Sequence, residues 1–271
     1  MDKKLVGIVI PLSTRKNLSK SEKISLKHLE YYLGQHDKIF IAPECLEFRY
    51  EGIPIERFDD KYFGSTSSHN RLLLSKEFYK TFSGYKYLLI YHLDSLVLSH
   101  DLVEWCKLEY DYIGAPWIQG HDLPWLNENG VGNGGFSLRK VESFLRLLDS
   151  GVPWESITVK FQKFKETASV REFMVNTKSL LKYCIPGLNT IQKHIEMHIN
   201  NGRNEDRFIY YYAQKYYPEF KIAPVDVALQ FAFEANPRIC YEQNKREMPF
   251  GCHAWEKYDK EFWKPYLLDG E

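Results

Sequence analysis

The stretch YKYLLIYHLDSLVLSH, residues 85–100, constrains the fold more than any other part of the chain. Its runs Leu88–Ile90 and Leu96–Leu98 lack polar alternation, which is typical of a central strand buried on both faces of a parallel sheet. His92 and Asp94 interrupt this stretch, and an ionised carboxylate at that depth is costly unless it is neutralised. Either the strand ends before His92 and Asp94 caps a turn, or a metal ion lies beside Asp94.

Short apolar strands alternate with amphipathic helices along the first hundred residues. The pattern predicts strands at residues 5–10, 38–43 and 52–58, a helix at 19–33 that stops at Gly34, and a helix at 67–82 opened by a serine cap. Such alternation is typical of a parallel sheet with helices on both faces. Ligands of these folds bind at the carboxyl ends of the strands, where His92, Asp94 and the loop Pro11–Arg15 lie.

The rest of the chain fits the same α/β pattern. It predicts a strand and turn at 109–117, a glycine-rich turn with a strand and helix from 131, a helix at 203–216, and one or two strands at 221–234. Residues 150–200 differ, because they contain helical, basic and aromatic stretches, yet no linker or repeat separates them. We therefore predict one domain over residues 1–271 with a helical insertion at 150–200.

Composition excludes several classes of protein. Lys plus Arg and Asp plus Glu both number 36, so the net charge is zero and no basic excess points to nucleic acid. No apolar run approaches the roughly 20 residues of a membrane-spanning helix. The five cysteines lack CxxC spacing, and the N-terminal segment lacks a signal-peptide pattern. We expect a cytoplasmic protein with reduced thiols and no nucleic-acid partner.

Four segments, taken in order, resemble a known pattern. They are YHLDSLV, DYIGAPW with VGNGGFSLR, NEDRF and FGCHAW, spread over residues 85–255. Together they resemble nucleotide-sugar glycosyltransferases of the GT-A type, and they are most similar to a family of bacterial and eukaryotic glycosyltransferases defined largely by these motifs. The resemblance covers most of the chain. It implies a GT-A, Rossmann-like α/β fold with a mostly parallel central sheet flanked by helices.

The resemblance also implies a divalent cation, usually Mn²⁺ and otherwise Mg²⁺. GT-A enzymes hold this cation against the donor diphosphate with an Asp-x-Asp motif, whose last Asp is the usual ligand. Here the motif is His92-Leu93-Asp94, so Asp94 keeps that role, while His92 is a ligand, a donor contact or a packed side chain. A nitrogen ligand suits Mn²⁺ better than Mg²⁺. His253 matches the C-terminal histidine that completes the cation site in many of these enzymes.

Glu205 and Asp206 match the acidic pair of inverting GT-A families. The resemblance makes Asp206 the general base and Glu205 the alternative, whereas simple charge complementarity at a helix N-terminus would need no catalysis. We expect the helix dipole to lower the pKa of Asp206. The glycine-rich segment at residues 131–140, which we call the glycine block, shapes the sugar pocket or forms a tight turn. The expected donor-binding residues are Pro11, Ser13, Arg15, Asn70, Arg71, His92, Asp94, Gly134 and Gly135.

The implied function is transfer of a sugar from a nucleoside diphosphate sugar to a hydroxyl. We expect the transferred sugar to be a hexose. The acceptor would be a saccharide or lipid-linked glycan of polysaccharide biosynthesis, and the product would have inverted configuration. The basic run at residues 160–165 would give peripheral contact with the inner face of a membrane, or it is a solvated charged face.

Two other functions are open. The replaced first Asp of the metal motif favours a non-catalytic sugar-nucleotide or glycan-binding module on a GT-A fold, which would not hydrolyse a donor when Mn²⁺ is added. His194 and His198 stand at i and i+4 on one predicted helix, like half the zinc site of a hydrolase. The HExxH order is absent, so we expect a solvated helix face there.

Overall fold

A computed structural model describes residues 3–12, 14, 17–154 and 189–268. In chain order, the strands are β1 Lys4–Pro11, β2 Asp37–Pro43, β3 Ile55–Phe58, β4 Tyr85–Tyr91, β5 Leu96–Val97, β6 Tyr112–Gly114, β7 Pro116–Trp117, β8 Gly130–Val131, β9 Phe136–Lys140, β10 Ala232–Phe233 and β11 Gly251–Cys252. The helices are α1 Lys20–Leu33, α2 Thr66–Leu73, α3 Lys76–Thr81, α4 Leu102–Lys107, α5 Val141–Leu148, α6 Ile191–Asn200, α7 Glu205–Tyr216, α8 Val225–Phe231, α9 Pro237–Gln243 and α10 Lys260–Trp263.

The central sheet has the strand order β3-β2-β1-β4-β9-β6. Strands β3, β2, β1 and β4 are parallel, whereas β9 is antiparallel to both of its neighbours, β4 and β6. The predicted α/β class with a mostly parallel sheet is therefore confirmed. Because β9 runs against β4, the residues that precede β9 lie beside the residues that follow β4.

Two apolar layers cover the two faces of this sheet. Leu89 of β4 packs in the layer that contains α1 and α4, whereas its neighbours Leu88 and Ile90 pack in the layer that contains α2, α3, α5 and α7. Both faces of β4 are buried, which explains why its sequence is an unbroken apolar run.

Local sequence signals set several helix boundaries. Helix α1 begins with a capping box, in which Ser19 accepts from the backbone N–H of Glu22 and Glu22 accepts from that of Ser19, and it ends at Gly34. The helix predicted at 67–82 is two helices, α2 and α3. The side chain of Ser75 accepts from the backbone N–H of Phe78 and so starts a new helix.

A second, three-stranded sheet has the order β10-β11-β5. The apolar pattern predicted that Leu96 and Val97 continue β4. This prediction is wrong, because both residues pair antiparallel with β11. The prediction of one or two strands at 221–234 is also wrong for most of that segment. Pro224 precedes helix α8, so strand structure is limited to β10 and an isolated parallel bridge between Ile222 and Tyr112.

Most of the predicted insertion lies outside the described residues, including the basic run at 160–165. Its last part is described and contains helix α6. Among the helices of the described ranges, none combines the length and the apolar character that crossing a membrane requires.

Candidate active site

The end of β4 and the start of β9 form the floor of a cleft. Tyr91 pairs with Phe136, and beyond this pair the backbone N–H of His92 donates to the carbonyl of Gly135 at 2.8 Å. His92 and Asp94 therefore leave the carboxyl end of the most buried strand directly beside the glycine block. This is the edge at which ligands of parallel sheets bind.

The small sheet brings His253 to the same place. Cys252 of β11 pairs with Leu96 of β5, so the residue after β11 lies beside the residues before β5. The backbone N–H of His253 donates to the carbonyl of Phe233 at 3.0 Å, and that of Trp255 donates to the carbonyl of Asp94 at 3.2 Å. These contacts fix a histidine 159 positions away in the chain against Asp94.

His92, Asp94 and His253 form a cluster that could hold a metal ion. One ligand atom from each residue lies within 4.8 Å of those of the other two. Nδ1 of His253 lies 2.9 Å from a carboxylate oxygen of Glu234. Nε2 of His253 is buried and lies 3.2 Å from Oδ1 of Asp94, but it completes no hydrogen bond. A buried nitrogen that faces a carboxylate without completing a hydrogen bond is the arrangement that a cation would satisfy.

Asp94 is not buried in the sheet, contrary to the expectation from the sequence. Strand β4 ends at Tyr91, and Ser95 closes a turn by donating its backbone N–H to the carbonyl of His92. The side chain of Asp94 is 55% exposed and opens into the cleft. The carboxylate therefore avoids most of the desolvation cost that an interior position would impose.

Opposite charges control protonation in this cluster. Burial opposes the charged form of His253, but Asp94 and Glu234 outweigh it and raise the pKa of His253 to about 10. Burial would also raise the pKa of Asp94, yet the charge of His253 holds it well below its ordinary value. The cluster thus stores a proton on His253 that a cation would displace.

His69 of α2 lies against His92, although no sequence motif predicted a role for it. The two Nε2 atoms are 3.1 Å apart. Burial, followed by the charge of His92, lowers the pKa of His69 to about 3. Burial and the charge of His253 lower the pKa of His92 to about 4. Both rings are therefore neutral near pH 7.

Asp206 lies at the start of α7, on the same cleft. Its two carboxylate oxygens accept from the backbone N–H groups of Asn133, at 2.9 Å, and Arg207, at 2.7 Å. Burial, and then the charge of Glu205, raise the pKa of Asp206 to about 7. The expected lowering by the helix dipole is therefore wrong, because burial and a neighbouring carboxylate outweigh the dipole and both hydrogen bonds.

Glu205 has a different environment from Asp206. Its Oε1 atom accepts from the guanidinium of Arg139 at 3.0 Å, in an ion pair whose side chains are 5% and 0% exposed. When the amide of Asn70 is oriented with its nitrogen toward Glu205, it donates to Oε2 at 2.9 Å. Glu205 is thus paired with a buried guanidinium, whereas Asp206 is the carboxylate whose pKa lies near neutrality.

Gly134 and Gly135 are required by close contacts. Neither has a positive φ; in this turn the left-handed residue is Asn133, with φ 61°. A Cβ atom on Gly134 would overlap the carboxylate of Glu205, and one on Gly135 would overlap the imidazole of His253. Glycine at these two positions leaves room for the side chains of Glu205 and His253. A simple tight turn does not explain this requirement.

These residues line a cleft of about 890 Å³. Its lining includes Pro11, Asn70, His92, Asp94, Gly134, Gly135, Glu205, Asp206 and His253, together with His69, Glu22, Glu234 and Lys257. Arg71 is not among the lining residues, because its guanidinium donates to Asn200 at 2.6 Å. Ser13 and Arg15 lie outside the described residues.

Within the described part of the chain, His194 and His198 belong to no group that could hold a metal ion, and they do not form a solvated face. Both are buried on α6, where Nδ1 of His194 lies 2.8 Å from the hydroxyl of Tyr216 and Nε2 of His198 lies 2.9 Å from the carbonyl of Asn204. Burial lowers the pKa of both imidazoles. The expectation of a solvated helix face is wrong, since these rings pack among the aromatic side chains of α7.

Several solved structures are similar to this chain at low identity. A glycosyltransferase involved in the glycosylation of the major capsid of PBCV-1 has 10% identity and a TM-score of 0.45, with 97% of this chain and 98% of that chain covered. The galactosyltransferase LgtC, in complex with donor and acceptor sugar analogues, has 13% identity and a TM-score of 0.44, with 98% and 97% covered. Because both TM-scores are below 0.5, neither similarity bears on activity.

A family model gives the more specific match. No curated protein has significant sequence similarity to the chain. The model described as "Protein of unknown function (DUF5672)" matches residues 52–253, a span that contains β4, the glycine block, the start of α7 and His253. The chain is therefore a member of the DUF5672 family, whose function the description leaves unassigned.

Proposed function

We propose that this protein is a metal-dependent GT-A glycosyltransferase, which transfers a sugar from a nucleoside diphosphate sugar to a hydroxyl of a saccharide or lipid-linked glycan. One observation carries the proposal. The cluster of His92, Asp94 and His253 shares a cleft, at the carboxyl end of parallel strands, with a buried carboxylate whose pKa is near 7. A cation site and a neutral-pH base are the two parts that this reaction needs.

The donor set fits a borderline divalent cation. Two imidazole nitrogens and one carboxylate suit Mn²⁺ better than Mg²⁺, which prefers oxygen ligands. Glu234 would accept the Nδ1–H of His253 and leave Nε2 of that ring for the cation. When bound, the cation offsets the negative charge that develops on the leaving diphosphate.

The charge of the cleft supports a requirement for a cation. Its described lining contains five acidic side chains, Glu22, Asp94, Glu205, Asp206 and Glu234, against two cations, Lys257 and the protonated imidazole of His253. Arg139, which is buried and does not line the cleft, neutralises the charge of Glu205. A diphosphate would be repelled by the remaining carboxylates unless further positive charge entered with it.

Asp206 is the proposed general base. Its carboxylate is held by two backbone N–H groups, so its orientation is fixed, and a pKa near 7 suits a base that works at neutral pH. It would take the proton of the acceptor hydroxyl as that oxygen attacks the donor sugar. Attack opposite the leaving diphosphate would give a product of inverted configuration.

A non-catalytic sugar-nucleotide or glycan-binding module is the second candidate. The replacement of the first motif Asp by His92 favours it. The raised pKa of Asp206 favours the enzyme, because perturbed pKa values cluster at catalytic sites.

Release of nucleoside diphosphate from sugar donors, with and without MnCl₂, tests the proposal. We expect Mn²⁺-dependent release by the wild type and loss of it in Asp94→Asn, which keeps the shape of the side chain but removes its charge. Asp226→Asn is the matched control, because Asp226 is an exposed residue of α8 outside the cleft. Mn²⁺-dependent donor binding without any turnover would instead support the binding module.

A further inference from the structure

His69 and His92 contact each other through one ring nitrogen each. Two ring nitrogens 3.1 Å apart, in rings whose centroids are 5.0 Å apart and tilted by 61°, share one proton between them. A hydrogen bond between two imidazole nitrogens needs a proton on one ring and a free lone pair on the other. If His92 is the donor, its proton is on Nε2 and its Nδ1 atom has a free lone pair.

In His253, the other histidine of the cluster, one ring nitrogen also faces a partner while the second nitrogen faces the cluster. Nδ1 of His253 faces the carboxylate of Glu234 at 2.9 Å, which leaves Nε2 without a hydrogen bond beside Asp94. Histidines that ligate metals commonly donate their second N–H to such a partner, which fixes the tautomer and the ring orientation. His69 contacts a ring nitrogen of His92 in the same way that Glu234 contacts a ring nitrogen of His253.

His69 acts through His92 and not as a ligand itself. The groups of the described residues whose ligand atoms lie within 4.8 Å of one another comprise His92, Asp94 and His253, and His69 is outside this set. His69 lies on α2, so it fixes the orientation of His92 from a different element than the one that carries His92.

We propose that His69 is a positioning residue of the cation site. It accepts the Nε2–H of His92 and leaves Nδ1 of His92 for a divalent cation, so that the site offers two nitrogens and one carboxylate and selects Mn²⁺ over Mg²⁺. This inference rests on the proposed function, because it assumes the cation site. Mg²⁺ prefers oxygen ligands in near-ideal octahedral geometry, which this set does not supply.

Calorimetric titration of the full chain with MnCl₂ and with MgCl₂ tests the inference. We expect the wild type to bind Mn²⁺ more than tenfold tighter than Mg²⁺. His69→Ala should weaken Mn²⁺ binding by about 10–100-fold, the usual effect of removing such a partner. His69→Gln, which retains an acceptor oxygen, should restore most of the affinity. His121→Ala is the matched control, because the side chain of His121 is 99% exposed.

Long-range ¹H–¹⁵N correlation spectra of the metal-free wild type supply a second readout, which does not depend on a variant that folds. They should show His92 protonated on Nε2. A proton on Nδ1 of His92 would overturn the inference, and so would equal Mn²⁺ affinity in wild type and His69→Ala, or equal affinity of the wild type for Mn²⁺ and Mg²⁺. A wild type that binds no divalent cation would instead overturn the proposed function itself.

Discussion

At the scale of single residues, the site depends on close contacts between side chains and glycine backbone. Gly135 faces the imidazole of His253, and a Cβ atom there would overlap that ring. We expect Gly135→Ala to displace His253 and weaken Mn²⁺ binding, measured by calorimetry. Gly84→Ala is the control, since a Cβ at Gly84 meets open space. Unchanged Mn²⁺ binding in Gly135→Ala would argue that His253 only packs.

The pKa of Asp206 predicts the pH dependence of the reaction. A general base works in its ionised form, so kcat/KM should rise with pH through about 7. Glu205→Gln removes a negative charge that raises this pKa, so the rise in kcat/KM should move to lower pH. A pH–rate profile of each protein checks this; an unshifted rise in Glu205→Gln would contradict the assignment.

The same titration has a consequence for stability. Because the folded pKa of Asp206 is raised above 3.8, the stabilisation from its protonated form is present below that pH and is lost as pH rises through about 7. Asp206→Asn should therefore flatten the pH dependence of the free energy of unfolding over this window, while kcat falls by about 10²–10⁴-fold. Urea titrations at several pH values and initial rates measure the two effects; if kcat were retained, Asp206 would not be the base.

The sequence predicted some site residues and missed others. Asp94, His253 and Asp206 belong to segments with a recognisable pattern, and the fold does bring them into one cleft. His69 lies outside these segments, and its contact with His92 appears only in the folded chain. Arg139 ends the segment VGNGGFSLR, but its ion pair with Glu205, 66 residues further along the chain, was not predicted. The pKa of Asp206 was mispredicted because burial is a property of the packed structure.

At the scale of elements, the buried ion pair of Arg139 and Glu205 joins strand β9 to helix α7. Removing one partner leaves an uncompensated buried charge, so Arg139→Met should lower the free energy of unfolding by about 3–5 kcal/mol. Arg146→Met is the control, because Arg146 pairs with Glu142 on an exposed helix face and should change it by less than about 1 kcal/mol. Urea denaturation compares the two, and equal losses would contradict the structural role of the pair.

Elements with strong local signals were predictable, whereas those that depend on distant partners were not. Strand β4 and helix α1 follow from an apolar run and a capping box. Strand β5 was misassigned to β4, since its pairing partner β11 lies more than 150 residues further along the chain. Helix α8 was taken for a strand because its short apolar run fits either period.

At the scale of the whole molecule, charge is distributed unevenly. The chain has zero net charge, yet the described lining of the cleft contains more acidic than basic side chains. A nucleoside diphosphate sugar alone should therefore bind poorly, and Mn²⁺ alone should bind to the cluster. The two ligands together should bind cooperatively, because the cation reverses the sign of the local charge.

Thermal unfolding of the wild type in the presence of nucleoside diphosphate sugars, with and without Mn²⁺, tests this central claim most directly. A ligand at a hundredfold excess over its Kd stabilises a protein by about 2.7 kcal/mol, which raises the Tm by several degrees at this size. We predict that at least one donor with Mn²⁺ raises the Tm well beyond the sum of the separate effects, and that Asp94→Asn abolishes the excess. Equal shifts with and without Mn²⁺, or no shift with any donor, would contradict the account.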